Sequence, residues 1–250
     1  MTAIEPRWYR NGMGEGRFIS FVVTYKDSDL WIGVDKDSYD PGMKDFAQAK
    51  LTELRTELEG YILNHSEFAT SFSPFDVQEF APDMAIDMAQ AGKFAGTGPM
   101  ASVAGAFSEY LGNTIQQKFI VNELLIENGG DIYAKLNQDL ILAVYAGRSA
   151  LSGKVGIEIP AEETPLGICT SAGTVGPSVS FGKADAVMVV CKSTLLADAF
   201  ATAIGNRVKQ ASDIDVELKM TEQHPQILSV LIICGGAVGI RGKYALKMLQ

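Results

Sequence analysis

Ala186-Val187-Met188-Val189-Val190-Cys191, followed by Lys192-Ser193-Thr194 and a helical run to Arg207, is the stretch whose reading decides the fold. The apolar run predicts a strand buried on both faces. Ser193 is placed to cap the helix that follows. Within that helix Leu196, Phe200 and Ile204 recur every four residues and predict a core-facing row. Asp198 and Thr202 are also four apart, so they share a second face. That face is bare of other charge, because its neighbours Ala197, Ala199, Ala201, Ala203 and Gly205 are small. A carboxylate one turn from a hydroxyl can accept a hard cation or a ligand oxygen. An Asp satisfied by neighbouring backbone N–H groups is the competing reading, and these residues alone leave both open.

Working outward, three more stretches carry small or polar residues between apolar runs. Gly96-Thr97-Gly98-Pro99 feeds a helix expected from Met100 to Leu111, and such a joint offers free amides to an anion. It also suits a tight loop-to-helix packing. Asn128-Gly129-Gly130-Asp131 reads as a β-hairpin turn. Its missing side chains also let backbone approach a flat ligand closely. Thr170-Ser171-Ala172-Gly173 and the residues to Ser178 form a hydroxyl-rich loop, either a phosphate or carboxylate cradle or an ordinary surface loop.

These strings together resemble a known superfamily. Residues 197–206 (ADAFATAIGN) look like the Asp/Thr helix of the ApbE superfamily, the FAD:protein FMN transferases. Residues 128–131 resemble its NxGGD turn, and residues 170–173 its TSG loop. With residues 98–106 (GPMASVAGA) and 182–190 (GKADAVMVV), the set is most similar to an uncharacterised cytoplasmic branch of ApbE-like proteins, over most of residues 70–210. The resemblance implies an α+β fold with mixed or antiparallel sheets, helices on one face and a T-fold-like arrangement. It implies one domain over residues 1–250, with two halves meeting near residues 70–110 and the ligand pocket between them. It implies Mg²⁺ on Asp198 and Thr202, and a ligand collected by Gly98, Pro99, Asn128, Gly129, Gly130, Asp131, Thr170, Ser171, Ala172 and Gly173. The expected ligand bears phosphate or carboxylate, with FAD or FMN in view.

Two departures bear on chemistry. The family helix near residue 100 carries a Lys-Gly pair that this chain lacks. The transferases also carry a His-x-x-Asp-Pro segment whose His takes part in transfer, and the matching interval Gly176 to Val187 has no His. The histidines are His65 and His224. Three readings therefore stand: a ligand-binding or transferase-like protein of unknown substrate, a non-catalytic partner protein, and flavin transfer using a different base. Relatives in the branch are tied to sulfur assimilation into homocysteine, which the second reading would accommodate.

Composition bounds these readings. With 21 Lys and Arg against 30 Asp and Glu, the net charge is −9, which argues against nucleic acid or an anionic membrane as partner. Cys169, Cys191 and Cys234 form no C-x-x-C pair and predict buried thiols in a reducing compartment. No run is long enough to span a bilayer, and the N-terminus has no apolar signal core, so a cytoplasmic protein is expected. A homo-oligomer or a protein partner is left open.

Along the rest of the chain, Phe18 to Tyr25 and Leu30 to Val34 predict a hairpin, and Met43 to Asn64 a long helix. Residues 82–92 predict a short helix. Leu140 to Tyr145 and Val155 to Ile159 predict strands, and Leu228 to Gly242 a closing strand–turn–strand. Residues after Arg207 read as a polar stretch, and Lys183 with Asp185 as a local ion pair.

Overall fold

The structure is a computed structural model, and it describes residues 7–14, 16–173 and 182–249. The apolar runs pair into an eight-stranded sheet. Its strands are β1 (Phe18–Tyr25), β2 (Ser28–Asp35), β3 (Leu124–Asn128), β4 (Asp131–Lys135), β7 (Leu166–Ser171), β8 (Ala186–Cys191), β9 (Ile227–Cys234) and β10 (Ala237–Gly242), in that spatial order. Each neighbouring pair is antiparallel. A second sheet has the order β11 (Leu246–Met248), β6 (Val155–Ile159), β5 (Leu140–Ala143).

The helices cover one face of the large sheet, and the small sheet covers the other. Val187 and Val189 of β8 face a core with Phe200 and Ile204, while Met188 and Val190 face a core with Val155 and Ile157. A strand covered on both sides cannot alternate apolar with polar, which is why β8 reads as an unbroken apolar run. The helices are α1 (Met43–Asn64), α2 (Ser66–Thr70), α3 (Asp83–Ala95), α4 (Val103–Lys118), α5 (Thr194–Arg207) and α6 (Asp213–Met220). Leu51, Phe107, Leu111 and Ile126 share the core beneath α1 and α4. No helix among the described residues is long and apolar enough to cross a membrane.

Several local expectations change. The helix expected from Met100 begins as a 3-10 turn, Pro99–Ser102, and continues as α4 to Lys118. The stretch after Arg207 contains α6, a short helix whose Ile214 and Leu218 are buried while its other side faces solvent. β5 ends at Ala143, short of the expected Tyr145. Asp185 does not pair with Lys183; its Oδ2 accepts the Gly235 N–H at 2.9 Å and fixes the β9–β10 turn. Cys169, Cys191 and Cys234 are free and buried, as expected.

Candidate functional site

Pairing of β4 with β7 brings the two small-residue stretches together. Asp131 lies opposite Cys169 in the register. The Thr170 N–H donates to the Gly130 carbonyl at 3.1 Å. Gly130 has φ +103°, and a Cβ there would sit 3.2 Å from the Thr170 carbonyl, so glycine is required by both conformation and space. Helix α4 is tied to the same turn: Asn128 Nδ2 donates to the Ala104 carbonyl at 3.2 Å, and Ser108 Oγ to the Asp131 carbonyl at 3.0 Å.

Helix α5 crosses α4 at Gly105. A Cβ on Gly105 would lie 2.5 Å from the Thr194 carbonyl and 2.9 Å from Asp198 Cβ. The bare backbone lets the Gly105 N–H donate to Asp198 Oδ2 at 2.9 Å. Glu109 of α4 returns the favour at the other end, accepting from Ser193 Oγ at 3.0 Å and from the Thr194 N–H at 2.5 Å. Each helix thus supplies a carboxylate to the first turn of the other. Ser193 also caps α5, its side chain accepting from the Leu196 N–H.

These elements line a cleft of about 2250 Å³. Gly98, Gly129, Gly130, Asp131, Thr170, Ser171, Ala172, Asp198 and Thr202 all face it. Three expected site residues sit behind that lining. Pro99 is buried in the 3-10 turn. Asn128 spends its amide on α4. Gly173 donates its N–H to Ala184, and a Cβ there would press on the Gly182 carbonyl. Gly98 owes its identity to packing as well, since a Cβ would overlap the Ser71 carbonyl. The loop from 174 to 181 lies outside the described residues.

The acidic end of the cleft is electrostatically loaded. Asp131 and Asp198 are each about 8% exposed, and neither makes an ion pair among the described residues. Burial pushes the Asp198 carboxyl up to about 7, while the Gly105 and Ala104 amides pull it back. Asp131 is raised well above the ordinary carboxylate range, first by burial and then by the charge of Asp198. Two neighbouring buried carboxylates require either a shared proton or a cation. Cys169 stays a thiol: burial and both carboxylates raise it, and its Sγ donates to the Thr194 carbonyl at 3.4 Å.

Mg²⁺ fits this donor set. It takes oxygen ligands, commonly one or two carboxylates completed by phosphate and water. Asp198, Thr202 and Asp131 supply two carboxylates and a hydroxyl on one wall. Among the described residues no group of three or more His, Cys, Asp or Glu is gathered for a metal, so a protein-only cage of the zinc type is not offered. His65 packs on Tyr61 with ring centroids 4.5 Å apart, and His224 on Phe200 at 4.9 Å; neither lines the cleft.

Some contributors carry no readable signal in sequence. Glu127, 1% exposed, accepts from the Gly130 N–H at 2.7 Å, from Tyr9 Oη at 2.8 Å and from Arg10 Nε at 2.5 Å. It stands next to the NGGD turn, but its partners lie 117 and 118 positions away. Glu109 looks like any exposed helix residue until α5 is placed. Thr97 Oγ1 is buried on the cleft wall without a hydrogen-bond partner among the described residues.

The architecture is that of the ApbE flavin transferases. The apo structure of the Pseudomonas stutzeri flavinyl transferase ApbE superposes with a TM-score of 0.54 at 13% identity, over 90% of this chain and 94% of that one. The Thermotoga maritima ApbE protein gives 0.53 at 13% identity, over 91% and 97%. Residues 10–226 match the family model described as AbpE bacteria, and the chain belongs to that family. Its relatives include the UPF0280 protein MJ1526 of Methanocaldococcus jannaschii, 40% identical over 226 residues, covering 88% of this chain and 89% of the relative. The UPF0280 protein MMP1236 of Methanococcus maripaludis is 40% identical over 233 residues, covering 91% and 92%.

Proposed function

We propose that this protein binds a phosphate- or carboxylate-bearing small molecule in the cleft, with Mg²⁺ held by Asp198 and Thr202 and by Asp131. A flavin nucleotide is the first candidate, because proteins sharing the fold are flavin transferases by name. The observation that carries the reading is the meeting of Asp131 and Asp198, buried and without an ion pair among the described residues, on the wall of a ligand-sized cleft. Bound Mg²⁺ would neutralise both carboxylates and ligand phosphate and supply Lewis acidity. The chain's own residues orient the site. Gly105 holds Asp198, Ser108 holds the Asp131 backbone, and Glu127 holds the glycine turn.

Binding is proposed rather than transfer, because no histidine lies in the cleft or in the interval where the transferases carry theirs. The composition supports a cytoplasmic setting and a single domain around this cleft. The test is titration calorimetry of FAD, FMN and ADP into wild-type protein and Asp198→Asn, with Mg²⁺ and with chelator. Mg²⁺-dependent binding by wild type that the variant loses supports the reading; equal binding by both, or none by either, removes it.

A further inference from the structure

The cleft also carries arginines, and they come from parts of the chain that are remote in sequence from the glycine turns. Residues 7–14 run along the cleft as a strap containing a 3-10 turn, Trp8–Gly12. The strap is pinned by Arg10, which pairs with Glu127 at 2.5 Å and with Asp29 at 2.6 Å. Arg7 is left with less. Its Nη1 donates to the Asp29 carbonyl at 2.5 Å, but the Asp29 carboxylate, already held by Arg10, lies 4.0 Å away. The other arm of the guanidinium reaches the glycine turn: Nη2 lies 3.4 Å from the position of a Cβ on Gly129. The positive charge of Arg7 also bears on Asp131.

A second arginine faces the same space. Tyr9 of the strap stacks on Tyr145 with ring centroids 5.8 Å apart. Three residues after Tyr145, on the turn between β5 and β6, Arg148 is exposed, lines the cleft and makes no ion pair among the described residues. Arg207, the third cleft arginine, is spent on Glu217 at 2.7 Å. In a chain of net charge −9, two arginines left under-neutralised on one cleft are a directed feature.

We infer that Arg7 and Arg148 form an anion subsite that works without metal, so that the cleft recognises a ligand with two anionic groups. One group meets the arginines, and the other meets Mg²⁺ at Asp131 and Asp198. The assignment rests on the cleft being a ligand site, but the arginines need no cation of their own. Arg7 precedes residues 10–226, the stretch that matches the family model. Guanidinium is suited to phosphate or carboxylate because its donors form a planar fork.

The probe is inorganic pyrophosphate in chelator, titrated by calorimetry into the full chain. Wild type is expected to bind, Arg7→Gln and Arg148→Gln to bind about tenfold or more weakly, and Arg7→Lys to recover part of the loss. Because chelator removes the metal, this binding does not depend on Mg²⁺, and its failure is distinguishable from failure of the Mg²⁺ reading. Thermal midpoints identify any variant that has lost its fold; Arg148, on an exposed turn, keeps the test informative if Arg7→Gln is unstable. Absence of metal-free binding by wild type, or unchanged binding by Arg148→Gln, overturns the proposal.

Discussion

The Gly105 N–H of α4 donates to Asp198 Oδ2 of α5 at 2.9 Å, and the same carboxylate lines the cleft. One oxygen belongs to the helix crossing, as the structural reading of the sequence had it. The carboxylate also lines the cleft beside Asp131 and Thr202, where the ligand reading needs it. Substitutions can separate the two readings of this residue.

Asp198→Asn keeps an oxygen to accept from Gly105 and removes the charge. Its fold is expected to survive while Mg²⁺-dependent ligand binding is lost. Asp198→Ala leaves the Gly105 amide buried without its acceptor and is expected to cost about 1–3 kcal/mol of stability as well. Chemical denaturation of both variants beside ligand titration reads the difference.

Gly105→Ala tests the crossing itself. A methyl group would sit 2.5 Å from the Thr194 carbonyl, so α4 and α5 must move apart. A loss of about 1–3 kcal/mol is expected from denaturant unfolding. An unchanged midpoint would show that the helices are not packed as described.

Arg10→Ala tests the strap. It leaves Glu127, 1% exposed, as a buried carboxylate without its cation. Removing one partner of such a pair costs about 3–5 kcal/mol. The thermal midpoint is expected to fall by several degrees, and limited proteolysis is expected to cut near residues 7–14 faster than in wild type.

Stability against pH follows from the raised carboxyls. Asp198 titrates near 7 in the fold and at its ordinary value, 3.8, when unfolded. Between those values the folded state holds a proton that the unfolded state has lost. Metal-free stability is therefore expected to fall as pH rises from about 4 to about 7, with Asp131 acting in the same direction. Mg²⁺ competes with that proton, so its stabilising effect is expected to grow across the same window. Urea unfolding at stepped pH, with Mg²⁺ and with chelator, measures both trends.

Much of the framework was legible because local signals were strong. Phe18–Tyr25 and Met43–Asn64 have the bounds that periodicity predicts, and Ser193 caps α5 as expected. The strand Leu246–Met248 was not legible, since three residues show no alternation. Helix α6 hid in a polar stretch because only two of its apolar residues are buried. In the site, glycine turns and the Asp198–Thr202 spacing are local patterns and could be read. Asn128 could not be assigned to α4, nor Glu109 to α5, because those hydrogen bonds join residues brought together by the sheet. The strap at residues 7–14 has no period at all; its place depends on Arg10 pairing with Glu127, 117 positions away, and with Asp29, 19 positions away.

The most direct test of the account is the thermal midpoint of the purified protein with FAD, FMN, ADP and ATP, each with and without Mg²⁺. A ligand that binds only the folded state raises the midpoint by mass action. At least one nucleotide is expected to raise it by several degrees with Mg²⁺ and much less with chelator, and Asp198→Asn is expected to lose the Mg²⁺-dependent part. No rise with any nucleotide, or a rise indifferent to both Mg²⁺ and Asp198, would contradict it.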